Sequence, residues 1–267
     1  MLKLIRVRGF FIPFLIFLSS LIILFLLAPL ILVFFMVDYG LVSQSLFETS
    51  RLSVEVRNAF LVTFEAATLS TIILFIFGVP LAYLLARFDF TGKTFLKSII
   101  DVPFLLPHAV AGILILIAYG GRGTFASLLS RLGLFIEDSF WGVVAAMLFV
   151  SAPILIDTVR VSFESIDPML EYVARCLGAS YSRSFFTISL PLAWRGIIGG
   201  FLLAWARAVS EVGALLIVAY YPKTINILII EWFNTYGLGY ALALTVPLIV
   251  LSLILFFLVR LLVRYER

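Results

Sequence analysis

Two charges interrupt an apolar run: Arg207 and Glu211, in ARAVSEVGALLIVAYYPKT (206–224). Four residues apart, they fall on one face of a helix. A charge inside a membrane costs several kcal/mol unless it is paired or wetted, so such residues are functional candidates by default. Arg207 could attract an anion, or the pair could fix helix packing or subunit contacts. The second reading carries more weight, because a strong permanent anion site would slow release. Arg before Glu is also the weaker order for a helical pair, so partners on another helix are expected. His108, in PFLLPHAVAGILIL (103–116), has no neighbouring ligand set and reads as a packing or hydrogen-bonding residue rather than a metal ligand. Glu65 and Asp157 are expected near span ends or facing helix interiors, without a role. The lone cysteine, Cys176, excludes an intrachain disulfide and reads as a packing residue. TGKT (91–94) resembles the end of a phosphate-binding loop, but that motif needs a glycine where Arg87 stands, and a preceding strand. ATP is not expected to bind here.

A second group of residues is polar where its surroundings are not: EYVARCLGASYSRSFFTISLP (171–191). Asp167-Pro168 is a helix-start signal, with Asp able to cap free N–H groups and Pro set for the first helical position. Leu170, Val173, Ala174 and Leu177 then form one apolar stripe at i, i+3, i+4 and i+7. Gly178 falls where a left-handed stop belongs. Ser180 or Ser182 starts a second short helix carrying Phe185, Phe186 and Ile188, and Pro191 is expected to end it. The product is a helix–glycine–helix elbow with exposed apolar residues. It could rest on a membrane surface or enter a groove on a soluble partner.

The elements that must position these groups follow from composition. Of 267 residues, 63% are hydrophobic and 13% charged, with a mean hydropathy of +1.20. One water-soluble domain could not hide that excess, since ordinary domains are roughly 45–50% apolar and about 25% charged. Runs of about 20 apolar residues cross a hydrocarbon core of roughly 30 Å. Six are found: about 9–37, 58–86, 101–122, 139–156, 196–222 and 238–259. The fold class is therefore an all-α integral membrane protein of about six spans. Lys3, Arg6 and Arg8 precede the first run, which is too long for a signal peptide and is read as retained. With both termini cytoplasmic, only Arg51, Arg57, Arg122, Arg131 and Lys223 of the 19 basic residues lie outside, and Arg207 lies within the membrane. That bias supports the orientation and puts the elbow in the cytoplasm. Neither an internal repeat nor a soluble domain is evident; the longest non-spanning stretch is about 157–195.

The elbow resembles the cytoplasmic coupling loop of ABC-importer permeases. That loop reads Glu-Ala-Ala, three residues, Gly, nine residues, Ile, one residue, Leu-Pro. Ala174, Gly178, Ile188, Leu190 and Pro191 match it, while Tyr172 and Val173 replace Glu and the first Ala, and the acid sits one place earlier at Glu171. The stretches 103–116 and 206–224 are similar to molybdate and tungstate permeases, whose Arg-x-x-Gly-Glu-Phe-Gly-Ala is here Arg207, Ser210, Glu211, Val212, Gly213 and Ala214. Sulfate permeases share much of this pattern.

The resemblance implies a type I importer permease fold and three segments: 1–57, an N-terminal span and external loop; 58–260, the transport domain with its coupling loop at about 160–195; and 261–267, a cytoplasmic tail. It further implies a second copy of the chain, two cytoplasmic ATP-binding subunits that use ATP and magnesium, and an external molybdate/tungstate-binding protein. No cofactor bound by this chain and no nucleic acid is implied, and lipid surrounds it. An ion-gradient-driven secondary carrier is the alternative from another class. Such carriers show internal repeats and discontinuous midplane helices, neither of which is read from this sequence. An intramembrane enzyme would need a nucleophile–base pair or metal cluster, which the sequence does not offer.

Overall fold

The computed structural model describes residues 11–265, with side chains over 12–257. Lys3, Arg6, Arg8 and Arg267, which enter the orientation argument, lie outside the described residues, as do the side chains of Arg260 and Arg264. Helices account for every regular element among the described residues.

The first apolar run forms α1 (Phe11–Met36). It is apolar on all sides, its side chains are nearly all exposed, and its packing is against the last helix. Such a helix suits a lipid-facing position. A short α2 (Tyr39–Phe47), capped by Asp38, leads into α3 (Arg51–Arg87). The Ser50 side chain accepts from the Ser53 N–H, so α3 begins about two turns earlier than the expected 58.

The expected third span is two helices. Pro107, which lacks an N–H, and the extended Leu106 before it separate α4 (Lys93–Leu105) from α5 (His108–Tyr119). The two are bent by 120°. At 1.5 Å per residue each is about 20 Å long or less, so neither alone crosses the core. Among the described residues, five helices, or six if this pair counts as one, are long and apolar enough to span.

After α6 (Ala126–Arg131), Ser139 caps α7 (Phe140–Glu164), which runs two turns beyond the expected end at 156. This central helix packs against α3 through small residues, among them Ala66, Ala67, Gly78 and Ala146. Close backbone approach of this kind is how helices associate in lipid. Two of the buried hydroxyls are satisfied along their own helices: Thr71 and Ser151 donate to the carbonyls of Ala67 and Met147.

The elbow comprises α8 (Met169–Cys176) and α9 (Tyr181–Ser184). Contrary to expectation, Pro191 does not end the second helix. A π-turn over Phe185–Ser189 joins α9 to α10 (Leu190–Val209), so the chain is helical from Tyr181 to Val209. In an α-helix the Pro191 ring would meet the carbonyl four residues back. The π-turn widens the backbone there, and Leu190 N–H bonds to the Phe185 carbonyl five residues back.

The expected fifth span is also discontinuous. It stops at Val209, and after five residues a single turn, α11 (Leu215–Val218), follows. The absence of broken helices therefore does not separate this protein from secondary carriers. Finally α12 (Ile225–Tyr236) packs on α3 and on α13 (Leu238–Tyr265) through Ile225, Leu228, Trp232 and Leu244. Lys223 staples this end, pairing with Glu55 and Glu231 at 2.8 and 2.7 Å.

Candidate functional site

Each candidate group is built by a local feature of its sequence. At the elbow, Asp167 accepts from the Met169 N–H and starts α8. Gly178 ends it with φ +93°, a left-handed conformation that suits glycine. Gly178 N–H bonds to the Arg175 carbonyl and Ala179 N–H to that of Ala174, each at 3.0 Å. These two bonds are the Schellman stop. Ser180, one of the two expected caps, accepts from Arg183 N–H and starts α9. The Arg175 guanidinium lies 3.8 Å over the Tyr181 ring and 5.7 Å from that of Tyr172, bridging both arms.

The elbow's apolar residues face outward. Leu177 is 84% exposed, and Met169, Leu170, Val173 and Phe186 are also exposed. Ala174, Ile188 and Leu190 are half-buried, and Pro191 is exposed.

Glu171 does the opposite. It is buried, accepting from Arg87 Nε at 2.6 Å and from the Tyr83 hydroxyl at 2.8 Å. Arg87 also donates to the Ile166 carbonyl. Burial alone would push the Glu171 carboxyl up; the hydrogen bonds from Tyr83 and Arg87, with the Arg87 charge, outweigh it and hold it below the usual value. The acid thus clamps the elbow to the end of α3. Arg87 and Tyr83 were not singled out from sequence, because their partner lies more than eighty residues away. Phe185 completes the anchor, its ring 4.7 Å from Tyr83.

The second site lies where α10 breaks. Arg207 and Glu211 do pair, at 2.8 Å, although Glu211 lies beyond the helix end. The expected partner on another helix is His108 at the start of α5. Its Nδ1 lies 2.8 Å from Glu211 Oε2 and 2.8 Å from Arg207. Glu211 is fully buried, and its other oxygen accepts from Ala214 N–H at 2.8 Å, capping the turn that follows. Asn226, also missed from sequence, donates to the carbonyls of Val209 and Glu211 and satisfies the broken helix end. Gly213 is required by close approach: a Cβ there would lie 2.5 Å from His108 Cβ. The arrangement fixes α5, the break and α12 to one another. Arg207 keeps 20% of its side chain exposed and His108 keeps 51%. No group of three or more metal-ligating side chains occurs among the described residues.

This helix order, with an elbow before the penultimate long helix, is the fold of an ABC-importer membrane subunit. A bacterial ABC transporter that imports the acidic polysaccharide alginate shares it with a TM-score of 0.71, over 96% of each chain at 16% identity. A related structure, in complex with an alginate pentasaccharide-bound periplasmic protein, gives 0.66 over 93% of this chain and 92% of that one, at 17% identity. The chain belongs to the family of binding-protein-dependent transport system inner membrane components, which matches residues 78–267. It is 42% identical to a molybdate/tungstate transport system permease protein of Pyrococcus furiosus, over 92% of each chain. A probable sulfate transport system permease protein of Anthoceros angustus is 37% identical over 61% of this chain and 57% of its own. The protein is thus a multi-pass permease of the cell membrane.

Proposed function

We propose that this chain is the membrane subunit of an ATP-driven importer of molybdate and tungstate. The observation that carries the reading is the 42% identity over 92% of both chains to a permease of that name. The sulfate-permease likeness covers less of the chain, so sulfate transport is the weaker reading.

In this reading two copies line one path. An external binding protein delivers the anion, as the periplasmic protein in the alginate complex supports. Two cytoplasmic subunits bind ATP and magnesium and supply the energy; this chain binds no cofactor. Both termini and the elbow are cytoplasmic, in keeping with the distribution of basic residues. The exposed stripe of Leu170, Val173 and Leu177 docks into a cleft of each ATPase, and Ile188, Leu190 and Pro191 carry its movement into α10. Arg207, Glu211 and His108 hold the α10 break in register. ATP closure and anion release then favour opposite states of the path, each ligand stabilising the state it binds better.

The test is the whole complex in proteoliposomes. Gly178→Pro is expected to leave ATP hydrolysis running while tungstate uptake is lost. Normal coupled uptake by that variant would refute the coupling role. Uptake of labelled tungstate, competed by unlabelled molybdate but not by equal sulfate, would fix the anion; transport persisting without ATP would favour a secondary carrier.

A further inference from the structure

Glu65 does not sit where the sequence suggests. It is neither at an end of α3 nor facing a helix interior, but exposed, eight residues and about 12 Å along the helix from Arg57. Apart from Thr68, its face of α3 is exposed and apolar: Leu61 is 58% exposed, Ile72 42% and Ile76 55%. Among the described residues no hydrogen bond or ion pair reaches its carboxylate. A bare carboxylate against lipid is strongly disfavoured, so this face must meet water or a protein cation. Among the described residues, the cation that the sequence places within the membrane, Arg207, is already held by Glu211. Among its described residues, a second copy of this chain therefore offers no free cation at that depth, which leaves water.

Neighbouring groups agree. The Trp205 indole donates to Thr68 at 3.1 Å, bringing α10 level with α3 one turn from Glu65. Thr68, Ser210 and His108 are exposed as well. Exposed polar groups on α3, α5 and α10 thus form one band at one depth, in helices that elsewhere expose mainly apolar residues.

We infer that this band lines the water-filled anion path, and that Glu65 is its fixed negative charge, a barrier to anions that leak when ATP is not driving the cycle. The inference rests on the importer reading. Because Glu211 cancels Arg207, the repulsion from Glu65 is not offset locally. For a dianion at roughly 8 Å in water, removing that charge should raise passive passage about fivefold.

The experiment uses the reconstituted complex. Glu65→Gln is expected to raise ATP-independent tungstate efflux about fivefold, with Glu65→Asp close to the parent. In a Cys176→Ala background, first checked for ATP-driven uptake so that failure of the importer reading is seen separately, Glu65→Cys should react with a charged, water-borne thiol reagent, more slowly with tungstate present. Unchanged efflux in Glu65→Gln would overturn the proposal. So would a Glu65→Cys thiol that resists the charged reagent with and without ATP, or that instead crosslinks to its counterpart in a second copy.

Discussion

The elbow and the α10 break handle charge and apolar surface in opposite ways. At the elbow, Glu171 is turned inward while Leu177, Val173 and Phe186 face out. At the break every charge is spent internally: Glu211 is sealed, and its oxygens are divided among Arg207, His108 and Ala214 N–H. A surface that keeps its apolar groups outside is unfinished without a partner. A cluster that satisfies its charges within one chain is a joint.

That contrast can be broken most sharply at the joint. Glu211→Leu strands Arg207 and uncaps α11, and should cost about 3–5 kcal/mol, read as a large drop in thermal unfolding temperature in detergent. Glu211→Gln should recover much of it by keeping the Ala214 bond. Arg87→Ala leaves Glu171 buried without its cation. It should cost about 2 kcal/mol, appearing as faster amide exchange confined to 166–177 with the transmembrane helices unchanged. Gly178→Ala forces a side chain into the left-handed region and should cost about 1–2 kcal/mol, with partial loss of coupled uptake. Leu177→Ser should alter stability by less than about 0.5 kcal/mol, yet weaken co-purification of the ATP-binding subunit; unchanged co-purification would remove the contrast. The smallest effect concerns pH. Because the folded Glu171 carboxyl is held below its usual value, its contribution is full above the ordinary carboxylate range. It fades as pH falls through the lowered value, so exchange in 166–177 should quicken only under acid.

The positions of the long helices were legible, because long apolar runs, such as the one between Arg57 and Arg87 with Glu65 as its single charge, leave few alternatives. The elbow's stop was legible too, since a left-handed residue after an amphipathic stripe points to Gly178. What escaped was set by distant partners. Nothing near Glu171 announces Arg87, and nothing near Val209 announces Asn226. The Pro107 bend and the Pro191 continuation show why proline alone misleads. The first sits at a sharp break between two helices, whereas a π-turn absorbs the second, and the residue type is the same in both.

The π-turn over Phe185–Ser189 has a consequence for how the protein can diverge. One residue advances an α-helix by about 100°, so a wider turn between elbow and α10 acts as an angular offset between two otherwise continuous screws. The α10 side keeps its phase against α3 and α7, while the elbow side takes its own phase, fixed by Glu171 on Arg87 and Tyr83. Loss of a single residue there would swing the elbow by roughly a quarter turn and pull Glu171 and Phe185 away from Tyr83, while the packing of α10 on α3 and α7 stays. On the importer reading, lineages can thus re-aim the elbow for a changed ATP-binding subunit by rebuilding one anchor, while the transmembrane packing stays as it is.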